Sequence, residues 1–219
     1  MTVILAAKYD TGVMYCYDTL CRDDDGSTRP AHKVMPVSRT PIVRSISGWV
    51  PDEIGDRFLL DEISREYDLI HDVESSIMRA VGKYIPVSDF FQETFQKYLL
   101  NSKTMLHPYS NKYIFSWESK KEMRLYFVDS FNNQHSYKDY AAIGVGAYDV
   151  VKEFLGNNHD SRMGTQDVIE MLEYAFDISL SENKRLVADG FSKNLLAGKA
   201  IAKHTSRGLK QLLFEKPNI

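Results

Sequence analysis

A threonine hydroxyl is a weak nucleophile until a base takes its proton, and Thr2 stands where such a base can arise from the chain itself. A methionine ahead of a small residue is commonly trimmed, and removal of Met1 would leave Thr2 with a free α-amine. The reference pKa of that group is about 7.7–8.0, so it can accept the hydroxyl proton near neutral pH. A nearby fixed cation would bias the amine toward its neutral form and would steady the developing alkoxide. Lys33 is the candidate cation, and Asp18 is the candidate carboxylate that a buried lysine needs in order to stay charged. Backbone N–H groups at the Ser47-Gly48 turn supply a candidate oxyanion site, with Gly48 as the donor. The competing reading of the same residues is plain: Thr2 starts a strand, Asp18 caps a turn and Lys33 is solvated.

Other chemistry finds less support in the spacing. Cys16 and Cys21 form no Cys-x-x-Cys pair and have no histidine at ligand distance, so no metal is expected and Cys16 reads as a small buried residue. Two cysteines also cannot make a disulfide framework, which fits a reducing cytosol. The 6 histidines are scattered and build no metal-binding helix motif. Gly144-x-Gly146 resembles a fragment of a dinucleotide fingerprint, but Asp149 stands at the third glycine position, so a tight strand-to-helix turn is the expected role and no cofactor is assigned. The run Asp23-Asp24-Asp25-Gly26 lacks alternating ligand spacing and a closing glutamate, and reads as a solvated loop.

These residues must be positioned by a chain of 219 residues, enough for one large core. Its 43% hydrophobic and 26% charged residues are those of an ordinary globular protein, which sets aside disorder and collagen-like arrays. A net charge of −3 gives no electrostatic footprint for nucleic acid. No stretch approaches the roughly 20 apolar residues of a membrane span, and Met1 to Lys8 has no basic leader, so a cytoplasmic protein without a signal peptide is expected.

The local patterns give an order of elements. Val3 to Ala7 and Val13 to Tyr17, around Asp10-Thr11-Gly12, read as a hairpin. Lys33 to Val37 and Ile42 to Ser47 read as further strands, with Pro36 and Pro41 at edges or ends. Ile54, Phe58, Leu59, Ile63, Tyr67 and Ile70 follow at helical spacing, and a second helix is expected from about Asp72 to Tyr84, with helical character resuming toward Leu100. Lys112 to Trp117, Arg124 to Asp129 and Tyr140 to Ile143 return to strand. A helix then ends near Gly156, and another starts at Thr165. Arg185 to Asn194 reads as a last hairpin, and the basic stretch from Ala197 reads as a terminal helix or tail. Segregated runs of strands and helices indicate an α+β protein, with residues 1–196 as one domain and 197–219 as an appended helix or tail.

Several of these segments, in this order, resemble the proteasome β-type and HslV-type peptidases of the N-terminal nucleophile hydrolase superfamily. Thr2-Val3-Ile4-Leu5 is similar to the family's mature start, Ala31-His32-Lys33-Val34 to the segment with the catalytic lysine, and Ile46-Ser47-Gly48 to the strand end that binds the oxyanion. Tyr140-Ala141-Ala142-Ile143-Gly144-Val145-Gly146 resembles the family's Ala-Ile-Gly-Ser-Gly run, with Val145 in place of the helper serine, and Val3 follows Thr2 where the family usually has a second threonine. Glu170 to Asn183 resembles the helix whose aspartate, here Asp177, faces the nucleophile.

The resemblance implies an α/β/β/α sandwich of two stacked sheets between helix layers. It implies a threonine peptidase with Thr2, Asp18, Lys33, Gly48 and Asp177 at the site, needing neither metal nor cofactor. It also implies homo-oligomeric rings that enclose a chamber, an ATP-driven unfoldase as partner and unfolded polypeptide as substrate. Val145 favours a second expectation, a ring subunit that no longer cleaves and serves as a structural or interaction module. A related amidase acting on a small amide is the third.

Overall fold

The computed structural model describes residues 2–22, 27–47, 53–83, 112–129, 134–144, 146–188 and 198–216. Twelve strands and four helices are described: β1 (Ile4–Tyr9), β2 (Gly12–Asp18), β3 (Leu20–Arg22), β4 (Thr28–Pro30), β5 (Val34–Pro36), β6 (Val43–Ser47), α1 (Glu53–Ile70), α2 (73–83), β7 (Lys112–Ser119), β8 (Glu122–Asp129), β9 (Gln134–Tyr137), β10 (Tyr140–Ile143), α3 (Asp149–Asn158), α4 (Thr165–Ala188), β11 (Lys199–Thr205) and β12 (Gly208–Phe214). The protein is α+β, as its segregated patterns imply.

One antiparallel sheet has the order β10-β1-β2-β11-β12 and the other β5-β6-β7-β8-β9, while β3 and β4 form a separate pair. The first hairpin is buried on both faces, and its sequence shows this as near-continuous apolar runs. The strand period of two divides those runs. Val3, Leu5, Ala7, Met14 and Cys16 join Val151, Leu155, Val168, Leu172 and Phe176 of α3 and α4 in one cluster. Ile4, Ala6, Val13, Tyr15 and Tyr17 join Val34, Val43, Ile114 and Leu125 of the other sheet in a second. The far face of that other sheet, with Tyr113, Phe115, Trp117, Tyr126 and Val128, meets Leu59 and Ile63 of α1 and Ile77, Ala80 and Val81 of α2. Asp72 caps α2 by accepting the Ser75 N–H at 2.8 Å, and Lys83 ties α2 to α1 through Glu62 and Glu66.

Three expectations are corrected. The segment from Ala197 is neither a helix nor a loose tail: Lys199–Thr205 and Gly208–Phe214 form a hairpin, and β11 pairs with β2. The turn between them uses Gly208 at φ +97°. The expected hairpin from Arg185 is instead helix through Ala188, as far as the described residues run. Gly156 does not end α3, which continues to Asn158. Helical character toward Leu100 and the remainder of the Arg185–Asn194 reading lie outside the described residues. No helix among the described residues is long and apolar enough to cross a membrane.

Candidate active site

Thr2, Asp18 and Lys33 reach one point from three segments. Thr2 lies just before β1, and Asp18 ends the neighbouring β2, so hairpin pairing sets the two side by side: the Asp18 N–H donates to the Val3 carbonyl at 3.1 Å. The Asp18 side chain returns the contact, with Oδ1 accepting the Val3 N–H at 2.7 Å. Lys33 stands immediately before β5, and the Ala31 N–H donates to the Thr19 carbonyl at 2.8 Å, which draws this segment toward the end of β2.

Lys33 Nζ donates to Asp18 Oδ2 at 2.6 Å and to Thr2 Oγ1 at 3.2 Å. Asp18 is fully buried and Lys33 is 7% exposed, while Thr2 is half-buried. Burial pushes the Asp18 carboxyl up from its usual range, and the Lys33 charge, the Lys33 hydrogen bond and the Val3 N–H pull it back. Both carboxyl oxygens accept bonds, which is the pattern of an ionised carboxylate. One oxygen therefore fixes the backbone beside the nucleophile and the other fixes the cation that touches the hydroxyl.

The turn after β10 closes over the same backbone. Gly146 N–H donates to the Thr2 carbonyl at 2.9 Å. Gly144 has φ +98°, and a Cβ there would overlap the Thr2 carbonyl and come within 3.0 Å of Ser47 Oγ, so both dihedral and space require glycine. Ser179 of α4, fully buried, donates to the Gly146 carbonyl at 2.5 Å. A relay of contacts thus runs from α4 through the glycine turn to Thr2.

The structure brings Thr2, Asp18 and Lys33 together and leaves Asp177 apart. Asp177 is exposed, and no hydrogen bond or ion pair joins it to Thr2 among the described residues. Helix geometry gives the reason: residues two apart point about 200° from one another, so Ser179 facing the glycine turn sends Asp177 outward. The sequence patterns above assign Ser179 no role, and the helical phase of the buried residues Leu172, Ala175, Phe176 and Ser179 is the signal for it. Gly48, Val145 and Met1 lie outside the described residues.

Cys16 is buried in the helix-facing cluster and burial pushes its thiol up, so it is no nucleophile. No group of histidine, cysteine and carboxylate side chains suited to a metal ion occurs among the described residues. With the cluster in place, the arrangement can activate a hydroxyl by a neighbouring ammonium and hold an acyl group on Thr2. A family model, that of the proteasome subunit, matches residues 2–188, a stretch that includes Thr2, Asp18, Lys33, Gly144, Gly146 and Ser179. No curated protein matches the chain.

Proposed function

Because the chain belongs to the proteasome subunit family, we propose that it is a threonine peptidase subunit whose nucleophile is Thr2 after loss of Met1. The observation that carries this reading is Lys33 Nζ placed 2.6 Å from Asp18 Oδ2 and 3.2 Å from Thr2 Oγ1. The Thr2 α-amine takes the hydroxyl proton as Oγ1 attacks the peptide carbonyl, and the Lys33 ammonium stabilises the charge that grows on Oγ1. The Gly48 N–H receives the oxyanion. Collapse releases the amine half, which leaves with the proton, and an ester on Thr2 remains. Water, deprotonated by the same α-amine, then cleaves the ester. Asp18 keeps Lys33 charged and in register. Support of the terminus, expected from Asp177, falls in this reading to Ser179 through Gly146.

The three hydrophobic clusters support an α/β/β/α sandwich, and the pairing of β11 with β2 supports a single domain that takes in the final hairpin. Family membership makes ring assembly the expected quaternary state, with unfolded polypeptide as substrate, an ATP-dependent unfoldase as partner and the cytoplasm as location.

A second reading, an inert ring subunit, is favoured by one observation: Val145 brings no hydroxyl to the Gly-x-Gly turn. Intact mass and peptide hydrolysis measured on the same assembled sample separate the two. Loss of one methionine together with turnover supports the peptidase. Retention of Met1, or a trimmed protein that turns over no peptide, supports the inert ring.

A further inference from the structure

We propose that the C-terminal hairpin is a positioning clamp for the Asp18–Lys33 pair, and that Phe214 is its key residue. This inference rests on the peptidase reading for its functional consequence. The family match ends at residue 188, so nothing in it assigns a role to β11 or β12.

The argument begins with a break in register. β11 pairs Ile201 with Leu213 but Ala202 with Gln211, so Leu212 is an extra residue on β12. A bulge of this kind inverts the side-chain alternation beyond it. Before the bulge, Leu209 packs into the cluster between the two sheets. After it, Leu213 packs on the helix side and Phe214 returns to the inter-sheet cluster. In an unbroken strand of period two, Leu209 and Leu213 would share a face and Phe214 would lie on the other. The Gln211 amide spans the irregularity, donating to the carbonyls of Ile201 and Leu213.

The inversion turns Phe214 toward the Lys33 segment, and together with Gln211, which stands before the bulge, the hairpin touches both segments that carry the charged pair. The Phe214 ring lies 4.3 Å from the ring of His32, the residue immediately before Lys33. Gln211 Oε1 accepts from the Tyr17 hydroxyl at 2.9 Å, next to Asp18, and that hydroxyl lies 3.5 Å from His32 Nδ1. One residue past the hairpin, the Glu215 carbonyl accepts from Thr19 Oγ1 at 2.7 Å, and the Glu215 N–H donates to the Lys199 carbonyl at 2.8 Å. Lys199 is itself paired with Glu173 of α4 at 2.7 Å. Tyr17, Thr19 and His32 are the chain neighbours of Asp18 and Lys33, and each touches this last part of the chain. Among the described residues no hydrogen bond or ring contact joins Phe214 or Gln211 to the hydroxyl or the ammonium, so they act through the residues they hold.

The test uses the full-length assembled protein, a threonine-directed electrophile, and the pH profile of Thr2 acylation, compared among wild type, Phe214→Ala, Phe214→Tyr and Leu209→Ala. Misplacing a catalytic group by a fraction of an ångström is enough for about a tenfold loss of rate. Phe214→Ala should show that loss and move the pH midpoint by about half a unit, because the spacing of ammonium and amine sets it. Phe214→Tyr, which keeps the ring, should restore both. Leu209→Ala, which removes packing from the same hairpin away from His32, should lower the melting temperature and leave the midpoint in place. An unchanged midpoint in Phe214→Ala, or equal shifts in Phe214→Ala and Leu209→Ala, overturns the clamp. If wild-type Thr2 does not react at all, the peptidase reading fails by itself. The clamp is then read from the NMR resonance of the Lys33 side chain at fixed pH, which Phe214→Ala should displace and Leu209→Ala should not; an unmoved resonance in Phe214→Ala overturns it.

Discussion

Among the buried polar side chains of strand β2, Tyr15 and Asp18 end in clusters of opposite kinds. The Tyr15 hydroxyl donates to Ser116 Oγ at 2.6 Å, and Ser116 Oγ lies 2.7 Å from His204 Nδ1. This relay runs from β2 to β7 in the opposite sheet and back to β11, among the apolar residues between the sheets. Its members are neutral. Burial pushes the Tyr15 phenol up and pushes His204 down from 6.5 to about 4, so neither is charged at neutral pH. The Asp18–Lys33 pair is ionic, and it keeps one contact, on Thr2 Oγ1, directed at a half-buried hydroxyl. A buried polar group that is fully satisfied by neutral partners joins the two sheets. The buried charges of Asp18 and Lys33, which cost more to desolvate, meet beside the Thr2 hydroxyl.

The largest effect that sharpens this contrast is Lys33→Ala. It strands the Asp18 carboxylate in the core and should cost about 3–5 kcal/mol of stability, together with a fall in peptide hydrolysis on the order of 100-fold or more. Replacing both partners by apolar residues, Asp18→Leu with Lys33→Met, should restore most of the stability in chemical denaturation and none of the turnover. Recovery of turnover would break the contrast.

The relay predicts a pH effect next. The folded chain holds His204 neutral down to about pH 4, whereas the unfolded chain protonates it near 6.5. As pH falls from 6.5 to 4 the unfolded state binds a proton that the fold refuses, so stability drops across that window and levels off below it. The full loss is about 3 kcal/mol for this group. His204→Gln should flatten that part of the stability curve, measured as urea midpoints against pH.

Ser116→Ala is the smaller probe of the same cluster. It leaves Tyr15 Oη and His204 Nδ1 without their shared partner and should cost about 1–3 kcal/mol. Thr2 reactivity, read by electrophile labelling, should stay at the wild-type level. A matching loss of reactivity would mean that the two clusters are one. Smallest of all, Asp177→Asn should fall within about 0.5 kcal/mol of wild type and leave turnover intact, because the exposed carboxylate is turned away from the glycine turn.

The sequence made some of this legible and hid the rest for physical reasons. The first hairpin is plain because both its faces are buried, and its pairing sets Asp18 close to residue 2. Lys33 lies beyond the hairpin and is named by the need for a cation and by the resemblance of its segment to the family's lysine segment. β12 was opaque: Lys210 and Gln211 interrupt its apolar residues, and the bulge at Leu212 destroys the alternation that marks a strand. The turn glycine Gly208 is the signal that marks the hairpin. β9 carries no strand pattern either, since Gln134–Tyr137 is a short edge strand of polar residues. The Tyr15–Ser116–His204 relay joins residues about a hundred positions apart, and only the stacking of the sheets brings them together.

The central claim is that Thr2, freed of Met1 and touched by Lys33, is a nucleophile. Treatment of the assembled protein with a threonine-directed electrophile, followed by peptide mapping, tests it most directly. The account predicts an adduct on Thr2 in the wild type that disappears in Lys33→Ala. Correctly trimmed wild-type protein that carries no adduct on Thr2 would contradict it.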